Sequence, residues 1–232
     1  MPKGYLTEEA VEDLALDELE KLGYSVFKSE SYTSPNKHID AARNKDHTVA
    51  ILLTNLDKAL RRLNPGYKDE IYKEAVRNFI RLADNPNMMI NNHYLHKLLV
   101  EGIRIKTSVN GESRTVTLYA IDFDNVDNNE FIATNQFTFE GRHERRPDVT
   151  LFINGLPLVT FEFKDISNPN VSIRDAYNQF ETYKEEISDY MKYNEILIIS
   201  DGINARAGSI TAGFDRFMRW RAPKNVTDTA EL

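Results

Sequence analysis

The sequence predicts an α/β protein, a mixed central β-sheet flanked by helices. Three observations carry this expectation. Amphipathic helical stretches are interspersed with short β-rich runs, two Asn-Gly dipeptides sit between such runs as hairpin signals, and 41% apolar content in 232 residues suffices for a sizeable core. No internal repeat is present.

Taken in order, "TEEAVEDLALDELEKL" (7–22) places Ala10, Val11, Leu14, Leu19 and Leu22 near helical spacing, with Thr7 as a cap and Gly23 as the stop. "GYSVFKSESY" (23–32) alternates like a strand. "AILLTNLDKALRRLNPG" (50–66) runs from an apolar stretch into a helix that Asn64-Pro65-Gly66 ends, and "KDEIYKEAVRNFIRLA" (68–83) is a second helix. A short helix is expected in "NHYLHKLLVEG" (92–102), then a hairpin around Asn110-Gly111. "EFIATNQFTFEG" (130–141) reads as one more strand, "RPDVTLFINGLPLVTFEFKD" (146–165) as a hairpin about Asn154-Gly155, residues 173–192 as one helix, and "EILIIS" (195–200) as a buried strand. From residue 222 the apolar pattern is lost, as in a linker or a chain end.

Composition narrows the function classes. A net charge of −7 gives no global attraction for nucleic acid, so DNA would need a local basic patch, a metal ion or a partner. The absence of cysteine removes disulfides and thiolate metal sites and fits a reducing, cytoplasmic setting. No run approaches the roughly 20 apolar residues that span a bilayer, so no membrane role is expected.

The chemistry concentrates in the hairpin at 146–165. Side chains alternate along a strand, so Thr160, Glu162 and Lys164 share one face and Val159, Phe161 and Phe163 the other. In one register Asp148 faces Glu162; a slip of two residues leaves them diagonal, about 7 to 8 Å apart between Cα atoms. Either arrangement lets the carboxylates converge, and two acids with a carbonyl oxygen suit Mg²⁺, which takes oxygen ligands at roughly 2.0 to 2.1 Å and leaves room for water and phosphate. A lysine beside such a site can orient water and stabilise charge developing on a phosphodiester. The plain alternative is a solvated Glu162–Lys164 ion pair, contributing about 0 to 1 kcal/mol. Gln179 and Tyr183, four apart on the next helix, project from one face toward the strand ends or pack as ordinary amphipathic cover.

Asp148, Glu162-Phe163-Lys164 and Gln179-x-x-x-Tyr183 together resemble the PD-(D/E)xK nuclease motifs and the following Q-x-x-x-Y element in the R subunit (HsdR) of type I restriction enzymes. "ALRRLNPG" (59–66), "HKLLVEGI" (96–103), "NQFTFEG" (135–141), "RRPDVTLFINGLPLV" (145–159) and "ISDGINARAGSITAGFDRFMRW" (199–220) extend the resemblance over nearly the whole chain. It implies a restriction-endonuclease-like core over 1–221 and a linker over 222–232 toward an ATP-driven motor, whose phosphate-loop motif this sequence lacks. It further implies Mg²⁺ as cofactor on Asp148, Glu162 and the Phe163 carbonyl, Lys164 organising water, and Gln179 and Tyr183 supporting DNA or metal handling. Partners implied are double-stranded DNA and the specificity and methyltransferase subunits, with ATP serving the motor domains. The family often has an acid on its first helix, for which Glu12 is the candidate and Glu8 the alternative. Two other readings stand beside this one: a stand-alone or repair nuclease of the same superfamily, and a degenerate nuclease fold kept for docking.

Three further features are weighed. Asp165 follows Lys164 where the family usually has asparagine, and strand alternation points it away from an ion. His93 and His96 are spaced to share zinc but lack further ligands. Arg142, His143, Arg145 and Arg146 either neutralise DNA phosphates near Asp148 or form a solvated loop, and Arg206 either contacts a neighbour or braces its own loop.

Overall fold

The computed structural model describes residues 7–29, 36–109, 112–165 and 171–220. The Asn110-Gly111 turn, the end of the strand expected to reach residue 32 and the linker expected over 222–232 lie outside the described residues.

Thr7 caps α1 (Glu8–Lys21), its Oγ1 accepting from the Ala10 amide at 3.3 Å, with Glu8 and Glu9 in the first turn where the helix end favours negative charge. The buried face is not the expected stripe. Val11, Glu12, Leu16 and Leu19 are buried, whereas Leu14 and Leu22 are 53% and 76% exposed. A buried glutamate displaced the apolar count because its partners are amides far away in sequence.

The chain continues through β1 (Ser25–Phe27), α2 (Lys37–Ala42), α3 (Leu53–Leu63), α4 (Asp69–Ile80) and α5 (Met88–Glu101). β2 (Ile103–Val109) and β3 (Glu112–Leu118) pair antiparallel as expected, but in a two-stranded sheet of their own. The run expected as one strand over 130–141 is two elements. β4 (Phe131–Asn135) stops where Gln136 turns left-handed at φ 50°, and β5 (Phe139–Glu140) pairs separately with β6 (Glu144–Arg145). β7 (Val149–Ile153) and β8 (Leu156–Phe163) form the second predicted hairpin.

The helix expected over 173–192 breaks into α6 (Ile173–Glu186) and α7 (Ser188–Met191). A continuous helix would send the Tyr190 amide to the Glu186 carbonyl; instead the Arg142 amide takes that carbonyl at 2.7 Å, and Tyr190 bonds Ile187. β9 (Ile196–Ser200), β10 (Ala205–Gly208) and β11 (Met218–Arg219) complete the order.

The central sheet runs β1-β4-β7-β8-β9-β10-β11, with β1/β4 and β8/β9 parallel and the other pairs antiparallel. On one face α1 packs Val11, Leu16 and Leu19 over Ala133, Val149, Leu151 and Phe163. The main core, including Leu56, Phe79, Leu95, Ile132, Phe152, Phe180 and Tyr190, is built by the remaining helices. Each face buries side chains of one strand parity, the period-2 rule that also decides where the acids point. No described helix is long and apolar enough to cross a membrane.

Candidate active site

The Asn154-Gly155 turn alone does not bring the acids together. Next to it Ile153 faces Leu156 and Phe152 faces Pro157; continued to the strand ends, that register would set Asp148 against Phe161 and turn Glu162 to the other face. Leu158 is an extra residue. Beyond it Leu151 faces Val159 and Val149 faces Phe161, so Asp148 and Glu162 come out on one face. A β-bulge, with Pro157 beside it, therefore makes the register that the paired-acid reading requires.

Asp148 and Glu162 are buried, at 6% and 3% exposure. The Phe163 amide donates to Asp148 Oδ2 at 2.6 Å, and Tyr183 Oη donates to Glu162 Oε2 at 3.1 Å. Lys164 Nζ donates to Glu162 Oε1 at 2.8 Å and to the Phe163 carbonyl at 2.7 Å, and lies 3.9 Å from Glu8 Oε1. This is not the solvated ion pair of the plain alternative, since both partners are largely withdrawn from water. Below the acids on the same face, Tyr190 Oη bridges Thr150 and Thr160 at 2.7 and 2.6 Å, tying β7 to β8.

Lys164 opens onto a cleft of about 910 Å³ between the start of α1 and the face of α6, which Glu8, Glu9, Glu12, Gln136, Asp165 and Gln179 also line. Asp165 departs from expectation: β8 ends at Phe163, so strand alternation no longer governs its direction, and it faces the cleft. Glu12 is buried and accepts from the amides of Asn135 and Gln136 at 2.6 and 2.8 Å. Of the two first-helix acids, Glu8 is therefore the one beside Lys164. Gln179 is half-buried in the cleft wall, one turn before Tyr183.

Burial pushes the Asp148 carboxyl well above its usual range, reinforced by the charge of Glu162, and burial lifts Glu162 to about 7 against the pull of Lys164. Tyr183 is driven up by burial and then by the two carboxylates, so it remains a phenol donor. The sign follows from proton linkage: the folded state binds more protons than the unfolded state between the two pKa values of a raised acid. Its contribution is complete below the unfolded value near 4.5 and is lost as pH rises through about 7. Chelator-treated protein should thus lose stability on the order of 3 kcal/mol across that window. Thermal melts of wild type and Glu162→Gln in EDTA check this, with a flatter profile expected for the variant.

Three of the four side chains of the basic cluster meet acids, and that of Arg142 is exposed. Arg145 bonds Glu186, His143 approaches Glu186 at 3.9 Å, and Arg146 pairs with Glu144 at 2.6 Å. Arg206, on β10, lies over the Phe214 ring at 4.9 Å. His96 meets Glu195 at 3.0 Å, and among the described residues no group of three or more histidines and acids is placed to hold a metal ion. A cation at Asp148 and Glu162 would rest on two carboxylates and a carbonyl. That all-oxygen donor set is the chemistry a hard divalent ion accepts.

A seven-stranded mixed sheet between helices, with two buried acids and a lysine at the open ends of a hairpin, is the restriction-endonuclease-like architecture. The sequence matches the family described as type I restriction enzyme R protein N terminus over residues 5–216, and the chain belongs to that family. It is 34% identical over 229 residues to the type I restriction enzyme HindI endonuclease subunit of Haemophilus influenzae, covering 98% of this chain and 21% of that protein. It is 33% identical over 222 residues to the putative MjaIXP endonuclease subunit of Methanocaldococcus jannaschii, covering 94% and 21%. The EcoprrI endonuclease subunit of Escherichia coli is 29% identical over 192 residues, covering 75% and 56%. The chain thus spans about a fifth of the length of the first two relatives.

Asn135 and Gln136 went unrecognised as site residues in the sequence. Their "NQ" signal was visible, but what they hold lies more than 120 positions away.

Proposed function

We propose that this domain is the Mg²⁺-dependent endonuclease of a type I restriction R subunit, hydrolysing phosphodiester bonds of unmodified DNA delivered by ATP-driven translocation in the full assembly. The observation that carries this reading is the meeting of Asp148, Glu162 and the Phe163 carbonyl around one lysine at the cleft. Asp148, Glu162 and that carbonyl would hold Mg²⁺, which when bound supplies Lewis-acid stabilisation of phosphate oxygens and a more acidic water.

The chain's own residues do the rest. Tyr183 fixes the Glu162 carboxylate from behind, and the Phe163 amide fixes Asp148. The Lys164 ammonium, free to exchange its Glu162 contact for water or phosphate, orients the attacking water and offsets developing negative charge. Gln179 lines the cleft with an amide suited to phosphate or base edges. The mouth, with Glu8, Glu9, Glu12 and Asp165 against Lys164, repels a polyanion, so the specificity and methyltransferase subunits would supply DNA affinity. A docking module would have no physical reason to bury two acids beside a lysine.

The test is direct cation binding. Titration calorimetry with Mn²⁺ should detect a site in the wild-type chain that Asp148→Asn and Glu162→Gln each weaken by at least about tenfold. Unchanged affinity in both variants would remove the assignment.

A further inference from the structure

The geometry points to Gln136 as a positioning residue for the acidic pair, a role that rests on the reading of Asp148 and Glu162 as a cation site. Gln136 lies one step past the end of β4, in the left-handed region at φ 50°, where a residue with a side chain is strained. Two bonds hold it there. Its side-chain amide donates to Glu12 Oε2 at 2.8 Å, and its backbone amide donates to the Asp148 carbonyl at 2.9 Å.

The second bond extends the β4/β7 register, in which Asn135 faces Val149, by one more pair. Asp148 is therefore gripped twice, at its carbonyl by Gln136 and at its carboxylate by the Phe163 amide. Pro147, just before it, has no amide to add to the ladder.

Glu12 is the anchor of this device. It is 4% exposed, its two oxygens accept from Asn135 and Gln136, and Asn135 Oδ1 in turn accepts from the Ser29 amide at 2.7 Å. Helix α1 is thereby fastened through one carboxylate to the turn that sets how deeply Asp148 enters the site. Without the Glu12 contact, only the bond to the Asp148 carbonyl holds the strained backbone at Gln136, and that donor is no longer fixed in place. The acid then reaches the cation and the Phe163 amide in a spread of positions.

Two variants and two measurements on this chain test the assignment. Gln136→Gly removes the side-chain amide while relieving the left-handed strain, and Glu12→Gln keeps volume while replacing an acceptor oxygen with an amide donor. In metal-free protein, Phe163 amide exchange by NMR reports the Asp148 contact; calorimetry reports Mn²⁺ affinity. Each variant is expected to lose protection at Phe163 by about tenfold and to bind Mn²⁺ about three- to tenfold more weakly. Protection and affinity both within twofold of wild type in the two variants would overturn the role. Protection lost evenly across the sheet would also overturn it, showing a merely structural contact. If wild type binds no Mn²⁺ yet Phe163 alone loses protection, the positioning stands and the metal reading falls.

Discussion

Glu162→Gln, introduced into an assembled enzyme carrying this domain, is expected to lower DNA cleavage by about 10³-fold or more. The substitution keeps the shape of the side chain and one carbonyl oxygen for Lys164 or Tyr183, so the hairpin has no reason to move. It removes the charge that would hold the cation. Lys164→Ala should lower cleavage comparably by a different route, leaving both acids in place but depriving the water of its orienting ammonium. Plasmid linearisation and ATP hydrolysis, measured in parallel, check the pair: cleavage should disappear while ATP turnover persists. Cleavage at the wild-type rate in either variant would dismiss the proposed chemistry. Stability gives a second signature, because exchanging a buried, proton-hungry carboxylate for an amide should leave the metal-free melting temperature at neutral pH unchanged or higher.

The parts of this site that were legible in the sequence are those governed by local rules. Asn154 and Gly155 adopt φ 51° and 84°, values that Asn-Gly tolerates and most residues do not, so the hairpin was readable from two letters. Strand and helix spacing placed Glu162 beside Lys164 and Tyr183 one turn from Gln179, while their roles in a site came only from the resemblance. What escaped was set by contacts distant in sequence. The bulge at Leu158 decides which way Glu162 faces, and its local mark, Pro157 within the strand, signals an irregularity without fixing the register beyond it. The break at Ile187 exists because Arg142 claims a carbonyl more than forty residues on. Glu12 was singled out only by the resemblance, and its burial was not legible because the amides that meet it come from the end of β4. Asp165 was misdirected because strand alternation was extended two residues past the strand.

Gly155→Ala is the stability prediction with the largest expected effect, and it bears on the site through the register. At φ 84° an alanine is strained wherever it sits, but here there is also no room. A Cβ would stand 2.5 Å from the Leu52 carbonyl and 2.8 Å from the Leu56 amide. Those atoms belong to the first turn of α3, and they cannot move cheaply, because the Leu52 amide already donates to the Gly155 carbonyl at 2.9 Å and Leu52 and Leu56 are fully buried. The neighbouring Asn154 is equally fixed, its side chain joining Ala120, Glu130 and Arg62. The turn must then withdraw from α3 or unwind, and the expected loss is about 2 to 4 kcal/mol, a fall in melting temperature of about 5 to 15 °C. Denaturant unfolding of the variant checks the magnitude. Since the hairpin carries Asp148 and Glu162 at its far end, a turn that rearranges rather than merely strains would also change the pairing beyond Leu158. Loss of Mn²⁺ binding together with stability in Gly155→Ala would therefore show that α3, on the opposite end of the sheet, helps to set the register of the acids. Stability within about 0.5 kcal/mol of wild type would show that the turn yields freely, against the close approach seen here.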